Sequence, residues 1–223
     1  MFGKPYYLWK STTDKLIPGL YEDLYTLLAF IGIKIKDMDS FSNASMLLEL
    51  GMINELVEEV ERNNSIIREV ARNREKCIVV IDPYEYRAVI ESYPETRCFI
   101  TLQSLLLDKS SKLPEAETNI KLMYFPSFPE RELGIDRDVR RLLTILGFHH
   151  VVSEEEISGA EPFIEETAPG LAMNASNTLL KEAREKKAGA IITSSPLIFH
   201  RLKKLIGRKI SIQLLPLTIL HYT

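Results

Sequence analysis

The sequence has little cysteine and no long apolar segment, and these two absences exclude several classes of protein. Cys77 and Cys98 are its two cysteines, each in or beside an apolar run, so a disulfide scaffold is excluded. No run reaches the roughly 18 apolar residues of a membrane span, and the first residues lack the cationic and apolar regions of a secretory signal. We therefore expect a cytoplasmic protein with no membrane span and with both cysteines as inert core thiols.

An excess of positive charge is also missing. Lys and Arg number 28 against 31 Asp and Glu, which gives a net charge of -3. Nucleic-acid binding calls for a basic excess, so we expect no nucleic-acid partner. There is no Gly-rich phosphate loop, nucleophile elbow or zinc-protease motif. The adjacent His149 and His150 would point to opposite faces of a strand, so we expect no metal and no cofactor.

What the sequence does contain is an internal repeat. One offset of the sequence against itself aligns 64–69 with 177–182 and 77–83 with 190–196, and a slightly larger offset aligns 27–32 with 142–147. We call the first of these the repeat offset. A duplicated unit predicts two matching lobes. The segment at 108–118 is polar and contains few apolar residues, so we place the boundary near Lys112. The predicted units are residues 1–112 and 113–223.

The sequence of each unit predicts the same alternation of strands and helices. In the first unit we predict strands at 6–9, 33–35 and 77–81, and helices at 21–31, 53–73 and 84–92. Their counterparts in the second unit are strands at 121–125, 148–152 and 190–193, and helices at 136–146, 175–187 and 197–205. A last strand and helix complete each unit. Gly32 and Gly147 stand where a left-handed helix cap is favoured. Because the third strands are almost continuously apolar, we expect parallel sheets covered on both faces. The predicted class is α/β, with two similar lobes related by internal duplication, each with a mostly parallel sheet flanked by helices.

The ends of the third strands are the first place to look for a site, because ligands of open parallel sheets bind beyond the carboxyl ends of strands. Asp82-Pro83 and Ser195-Pro196 stand there in the two units. One interpretation is structural, since Asp or Ser before Pro is a good helix N-cap. The other is that both caps also line a cleft in which the helix N-termini favour an anion. Asp82 and Glu85 fit acid–base chemistry if they are buried, but we expect a solvated helix start that carries its preferred acidic residues.

These segments also carry a resemblance to a known family. A strand, then Xaa-Pro-Xaa-Xaa, then a helix occurs twice, as Asp82-Pro83-Tyr84-Glu85 and Ser195-Pro196-Leu197-Ile198. The pattern resembles the duplicated cysteine-rich CCG domain of the heterodisulfide reductase B subunit and of related iron–sulfur subunits of lactate and glycerol-3-phosphate oxidation. It spans nearly the whole chain, and residues 188–200 are the closest stretch. The family has Cys-Pro-Xaa-Cys at 195–198, an earlier Cys after the first strand, and Cys-Cys-Gly in the loop before the long helix.

This chain departs from the family at every cysteine position. The first strands are followed by residues 9–11 and 125–127, and the loops expected to hold the paired cysteines lie near 40–43 and 158–160; none of these residues is Cys. A serine hydroxyl is too hard a ligand to replace several thiolates of an iron–sulfur cluster. The polar residues that stand at or beside these positions are the candidate cleft and ligand-binding residues: Ser11, Ser42, Asp82, Tyr84, Glu85, Ser158, Ser194 and Ser195.

Three functions are compatible with these observations. The resemblance implies a non-catalytic, cluster-less relative of the heterodisulfide reductase B subunit, which would be a structural or docking subunit of a thiol–disulfide redox complex and would have other redox subunits as partners. The alternative is a small-molecule-binding protein or an enzyme that uses the candidate residues, in the cleft between the lobes, to bind a small anionic or thiol ligand. The third is that the resemblance arises by chance and the chain is another duplicated α/β protein.

Overall fold

A computed structural model describes residues 4–72 and 74–222 of the chain, without the side chains of Asp39 and Ser40. Contacts within the chain divide it into two compact units, Met1–Leu105 and Leu106–Thr223. The boundary that the sequence predicts, near Lys112, lies a short distance after this division. Each unit contains one four-stranded sheet.

The first unit alternates strands and helices along the chain. Its elements are β1 (Tyr6–Ser11), α1 (Leu20–Phe30), β2 (Ile35–Ser42), α2 (Ala44–Glu49), α3 (Ile53–Ala71), β3 (Ile78–Val80), α4 (Pro83–Ser92), β4 (Phe99–Thr101) and α5 (Leu102–Asp108), which crosses into the second unit. The strands are all parallel and lie in the order β2-β1-β3-β4. All three residues of β3 are buried, as the apolar run at this position predicts.

The second unit repeats this arrangement. Its elements are β5 (Leu122–Tyr124), α6 (Phe128–Leu133), α7 (Ile135–Ile145), β6 (His150–Val152), α8 (Ile164–Thr167), α9 (Pro169–Glu185), β7 (Ala190–Thr193), α10 (Pro196–Ile206), β8 (Ser211–Leu214) and α11 (Leu215–Tyr222). The strands are again parallel, in the order β6-β5-β7-β8. The first strand of each unit therefore lies between the second and the third, and the predicted class of two similar α/β lobes with parallel sheets is confirmed.

The long helices α3 and α9 show that the repeat aligns residues as well as elements. The repeat offset pairs three buried positions: Glu59 with Ala172, Asn63 with Ser176, and Ile67 with Leu180. Because a buried helix face recurs every three to four residues, this agreement fixes the register of the two helices. The predicted caps are confirmed too, since Gly32 and Gly147 have φ angles of 73° and 76°.

The prediction for the second strand of the first unit is wrong. β2 begins at Ile35 and ends at Ser42, so the strand predicted at 33–35 is misplaced and most of the loop predicted at 40–43 is strand. β2 is an edge strand that pairs only with β1, and the pairing shifts register between Leu8 and Lys10. An edge strand exposes one side to water, so its polar sequence resembles that of a loop. The side chain of Ser40 lies outside the described residues.

Two long-helix boundaries also differ from the predictions. α9 begins at Pro169 rather than at residue 175. Proline is favoured at the first position of a helix, so Pro169 can begin α9. α3 ends at Ala71, and Asn73, where the sequence places the end, lies outside the described residues. None of the helices in the described part of the chain is both long and apolar enough to span a bilayer.

Candidate functional site

The segment that follows β1 places a buried carboxyl group at the carboxyl edge of the first sheet. The backbone N–H of Ser11 donates to Asp14 Oδ2 at 3.0 Å, and the hydroxyls of Ser11 and Thr13 are 2.9 Å apart. All three side chains are buried. The turn that leaves β1 therefore folds Asp14 back toward the end of the strand instead of toward water.

Asp82 follows β3 and begins α4. Its Oδ1 accepts a hydrogen bond from the backbone N–H of Tyr84 at 3.1 Å, and Pro83 occupies the first helical turn. The interpretation of Asp82 as an N-cap is therefore confirmed. Tyr84 is buried in the same turn.

The expectation of a solvated helix start is wrong, because Asp82 and Glu85 are both fully buried. Glu85 turns inward from the first turn of α4. Its Oε1 accepts from the indole Nε1 of Trp9 at 3.0 Å, and its Oε2 accepts from the backbone N–H of Ser45 at 3.1 Å. These two donors come from distant parts of the chain, and they replace the water that the sequence pattern led us to expect around Glu85.

Ser42, at the end of β2, contacts a further buried carboxylate. Its hydroxyl donates to Glu59 Oε1 of α3 at 2.7 Å, and the backbone N–H of Asn43 donates to Glu59 Oε2 at 3.0 Å. The Ser42 hydroxyl also accepts from the N–H of Ala44 at 3.1 Å. Ser42 thereby joins the end of β2 to the long helix.

The electrostatics of this edge favour protonated carboxyl groups. Burial raises the pKa of Asp14 well above its usual range, and the nearby Asp82 carboxyl raises it further. Burial also raises the pKa of Glu85, although the nearby hydroxyl of Ser42 and the indole of Trp9 partly offset the effect. The causes of the Asp14 shift include both Asp82 and Glu85, so the structure brings three acids together here. Like charges so placed do not all ionise readily.

The second unit has its own buried acid, Glu130, in the first turn of α6. Its Oε2 accepts from the backbone N–H and the hydroxyl of Ser127 at 2.7 and 2.8 Å. The bond from the backbone N–H is one half of a capping box between the two residues. Its Oε1 accepts from the Tyr124 hydroxyl at 2.6 Å and also from the Ser194 hydroxyl. Burial raises the pKa of Glu130, while these donors act in the opposite direction. The structure thus brings Ser194 to the segment that follows β5.

Ser195 is the N-cap of α10, since its hydroxyl accepts from the backbone N–H of Ile198 at 3.3 Å. The repeat offset aligns it with Asp82, and it aligns Ile198 with Glu85. The caps are therefore equivalent, as the repeat predicts. The carboxyl groups of Asp82 and Glu85 have no acidic counterparts at these two positions of the second unit.

Ser158 and Ser42 form matching local structures. The N–H of Ala160 donates to the Ser158 hydroxyl at 3.1 Å, as Ala44 does to Ser42. Ser158 then donates to Glu161 Oε1 at 2.9 Å, whereas Ser42 donates to Glu59. The duplication therefore extends to individual hydrogen bonds.

Sequence reasoning missed the carboxyl partners of these serines, although a signal for several of them was present. Ser followed three residues later by Asp or Glu is the pattern of a capping box. It occurs as Ser11 to Asp14, Ser127 to Glu130 and Ser158 to Glu161, and in each case the serine N–H donates to the acid. The interactions Trp9–Glu85 and Ser42–Glu59 give no such local signal.

An iron–sulfur cluster does not fit the described strand ends. The polar residues at or beside the resembled cysteine positions offer hydroxyl and carboxyl oxygens, which are hard ligands. The hydroxyls of four of them take part in internal hydrogen bonds: Ser11, Ser42, Ser158 and Ser195. Cys77 and Cys98 lie elsewhere, side by side at the amino ends of β3 and β4, where the N–H of Cys77 donates to the carbonyl of Cys98 at 2.7 Å. Both are buried, and burial raises the pKa of both thiols.

Fold and site together define a duplicated α/β protein whose strand ends are closed by buried polar groups. No family model and no curated protein matches the sequence. Among solved structures, an aspartate racemase from Picrophilus torridus is similar over 92% of this chain and 94% of its own, with 8% identity and a TM-score of 0.39.

Two further solved structures are similar at a lower TM-score. A putative LacI-family transcription repressor from Corynebacterium glutamicum is 11% identical, over 92% of this chain and 76% of its own, with a TM-score of 0.30. A periplasmic ribose ABC transporter protein from Conexibacter woesei is 10% identical, over 93% and 70%, with a TM-score of 0.30. Scores this low do not indicate a shared function or ligand.

Proposed function

We propose that the chain is a cluster-less relative of the heterodisulfide reductase B subunit and acts as a structural or docking subunit of a thiol–disulfide redox complex. The observation that carries this proposal is the closure of the strand ends. Five of the residues at or beside the resembled cysteine positions are at most 1% exposed: Ser11, Ser42, Asp82, Ser158 and Ser195. A family scaffold with these positions filled by oxygen ligands retains the architecture and loses the redox chemistry.

Internal hydrogen bonds stabilise the closed state. Ser42 is bonded to both Ala44 and Glu59, and Ser158 to both Ala160 and Glu161. A buried polar group left without its partner costs about 1–3 kcal/mol, so opening one such position to a ligand removes several favourable contacts at once. This supports a role in assembly rather than in catalysis by the chain alone.

A docking role also requires an exposed apolar surface, and the first unit has one on α2 and the start of α3. Met46 of α2 and Leu50, the C-cap of that helix, are four residues apart, and Ile53 and Val57 lie one turn apart on α3. Each of the four is at least 39% exposed. Exposed apolar side chains that cluster in this way mark protein interfaces. We propose that a redox subunit of the complex binds this α2–α3 face.

Affinity capture of the full chain from its host, followed by mass spectrometry, tests the proposal. We expect thiol–disulfide or iron–sulfur redox subunits to be recovered with the chain. Val57→Glu should abolish their recovery, because a buried charge at an interface is strongly unfavourable. Glu58→Gln, a neighbouring exposed change on α3, is the control. A chain that recovers no redox subunit, or that recovers the same subunits after Val57→Glu, contradicts the proposal.

One observation favours the alternative of a small-molecule site. Asp14 Oδ1 is buried and has no hydrogen-bond partner among the described residues, and such groups require an explanation. A ligand here would have to donate a hydrogen bond to Asp14 Oδ1, and the three neighbouring acids offer no positive charge to attract an anion. The Asp82 side chain also takes the place at the α4 N-terminus that an anion would use.

A thermal-shift screen with thiols, nucleotides and carboxylic acids separates the two functions. Specific stabilisation by one compound, lost in Asp14→Asn, supports the small-molecule site. Failure of every compound to raise the melting temperature leaves the docking role as the better explanation.

A further inference from the structure

An open surface pocket of about 660 Å³ lies at the opposite, amino edge of the first sheet, and four arginines line it: Arg68, Arg72, Arg74 and Arg97. We call it the arginine pocket. Its arginines come from three segments, namely the end of α3, the loop before β3 and the turn before β4. Its volume is in the range of small-molecule sites. The strand ends described above lie at the other edge of the sheet, so the pocket is separate from them.

Positive charge exceeds negative charge around the pocket. Glu75 and Glu95 are the acids in its lining. Arg68 Nε lies 3.9 Å from Glu95 Oε1, at the limit of an ion pair. Arg72 uses its Nε to donate to the carbonyl of Glu69 at 3.0 Å. Because a guanidinium has five N–H donors in a planar fork, Arg72 retains its terminal N–H groups for another acceptor.

Arg74 and Arg97 complete the positive lining. Arg74 donates one Nη2 hydrogen bond to the carbonyl of Pro5 at 2.9 Å, which holds its guanidinium in place. Within the described part of the chain, Arg97 forms no side-chain hydrogen bond or ion pair. Four guanidinium groups therefore line the pocket, and the described residues provide fewer acceptors than these groups have N–H donors. This local excess of positive charge contrasts with the net charge of -3 of the whole chain.

The second unit provides an internal comparison. The repeat offset aligns the four arginines with Lys181, Glu185, Lys187 and Ile210. Lys181 and Glu185 form an ion pair within α9, with 3.7 Å between Nζ and Oε1. At the equivalent positions the first unit has Arg68 in the last turn of α3 and Arg72 at the C-cap of that helix, with a φ angle of 41°. The first unit thus has two positive charges where the second unit has an internal ion pair.

We propose that the arginine pocket binds a small molecule that carries a diphosphate group. Guanidinium forks bind phosphate oxygens in pairs, and four of them exceed what one monoanionic group can engage. This inference goes beyond the proposed function, because the pocket contains none of the strand-end residues and does not depend on redox partners.

Calorimetric titration of the full chain with inorganic pyrophosphate tests the proposal. We expect saturable binding that weakens with added salt, and orthophosphate should bind more weakly. Arg72→Glu should reduce the affinity by about tenfold or more. It should also leave the fold intact, because Arg72 is exposed and, among the described residues, its side chain donates one hydrogen bond, to the carbonyl of Glu69. Arg97→Ala should weaken binding without adding a negative charge.

The matched control is Arg137→Glu, which changes the net charge by the same amount. Arg137 is exposed in the first turn of α7, where an acidic residue is favourable, and pyrophosphate affinity should not change. An absence of binding overturns the proposal. Binding that survives both Arg72→Glu and Arg97→Ala, or that falls equally in Arg137→Glu, overturns it as well. If circular dichroism shows that Arg72→Glu unfolds the chain, Arg97→Ala decides the question.

Discussion

The indole Nε1 of Trp9 donates to Glu85 Oε1 at 3.0 Å and joins β1 to the first turn of α4. Both residues are fully buried. The rings of Tyr93 and Phe99 pack edge-on against the indole, with centroids 5.5 and 5.4 Å away. A buried carboxyl group thus sits at the boundary between the apolar core and the polar strand ends, and its protonation affects stability.

Glu85→Gln should change the pH dependence of stability. Because burial raises the pKa of Glu85 in the folded state, the folded chain holds this proton more tightly than the unfolded chain. The contribution of Glu85 is therefore present at low pH and is lost as the pH rises from the unfolded pKa, about 4.3, through the raised folded pKa. Gln does not titrate, so the free energy of unfolding of the variant does not include this pH-dependent decrease.

The measurement is the melting temperature of both proteins between about pH 5 and pH 8. At the lower pH the variant should be less stable by roughly 1–3 kcal/mol, because the amide nitrogen cannot accept from Trp9 or Ser45. The difference should shrink as the pH rises. For the control Glu58→Gln, on the exposed face of α3, the melting temperature should follow the same pH dependence as that of the parent protein. A difference between Glu85→Gln and the parent that grows with pH would show that the linkage is wrong.

Glu130 should stabilise the second unit more than any one of its donors. Glu130→Ala leaves the Tyr124 and Ser194 hydroxyls and the Ser127 N–H without their acceptor, and we expect a loss of about 3 kcal/mol or more. Ser194→Ala removes one donor and should cost about 1 kcal/mol. Urea denaturation measures both. Ser65→Ala, on the exposed surface of α3, is the control and should be nearly neutral; equal losses for Glu130→Ala and Ser194→Ala would disprove the ranking.

Two glycines near the start of α9 should respond oppositely to alanine. A Cβ at Gly159 would lie 2.0 Å from the carbonyl oxygen of Ala172, and Gly159 has a φ of 79°. Gly159→Ala should therefore cost roughly 3 kcal/mol or more. A Cβ at Gly170 would meet no atom within 4 Å, and Gly170→Ala should stabilise by up to about 1 kcal/mol. Thermal unfolding compares them, and a tolerated Gly159→Ala would contradict the close approach of this loop to α9.

The two cysteines should be unreactive in the folded chain. Burial raises the pKa of the Cys98 thiol to about 12 and also raises that of Cys77, so little thiolate forms near pH 8. We expect no labelling by a thiol-specific disulfide reagent until denaturant is added, and then two thiols per chain. Rapid labelling of either residue in the native protein would contradict the buried placement.

The fold was largely predictable from the sequence because its signals are local. The third strands are apolar throughout, and Gly32 and Gly147 mark matching helix ends. The prediction for β2 failed because its polar residues face water at a sheet edge, where a strand and a loop have similar composition.

The candidate site was predictable only in part. The caps Asp82 and Ser195 follow from the Asp-Pro and Ser-Pro pairs, but the burial of Glu85 depends on Trp9 and Ser45, which lie far away in sequence. The arginine pocket is a similar case, since Arg97 joins Arg68 and Arg72 only through the packing of the strands. Contacts between distant segments are set by tertiary structure and leave no pattern in a single sequence.

The most direct test of the proposed cluster-less scaffold is the iron and sulfide content of the chain after anaerobic expression and iron–sulfur reconstitution. Since the strand ends offer buried, hydrogen-bonded oxygen ligands, we predict a colourless protein that retains neither iron nor sulfide after gel filtration. Stoichiometric iron and sulfide, with the visible absorbance of a cluster, would contradict the claim that these positions are closed.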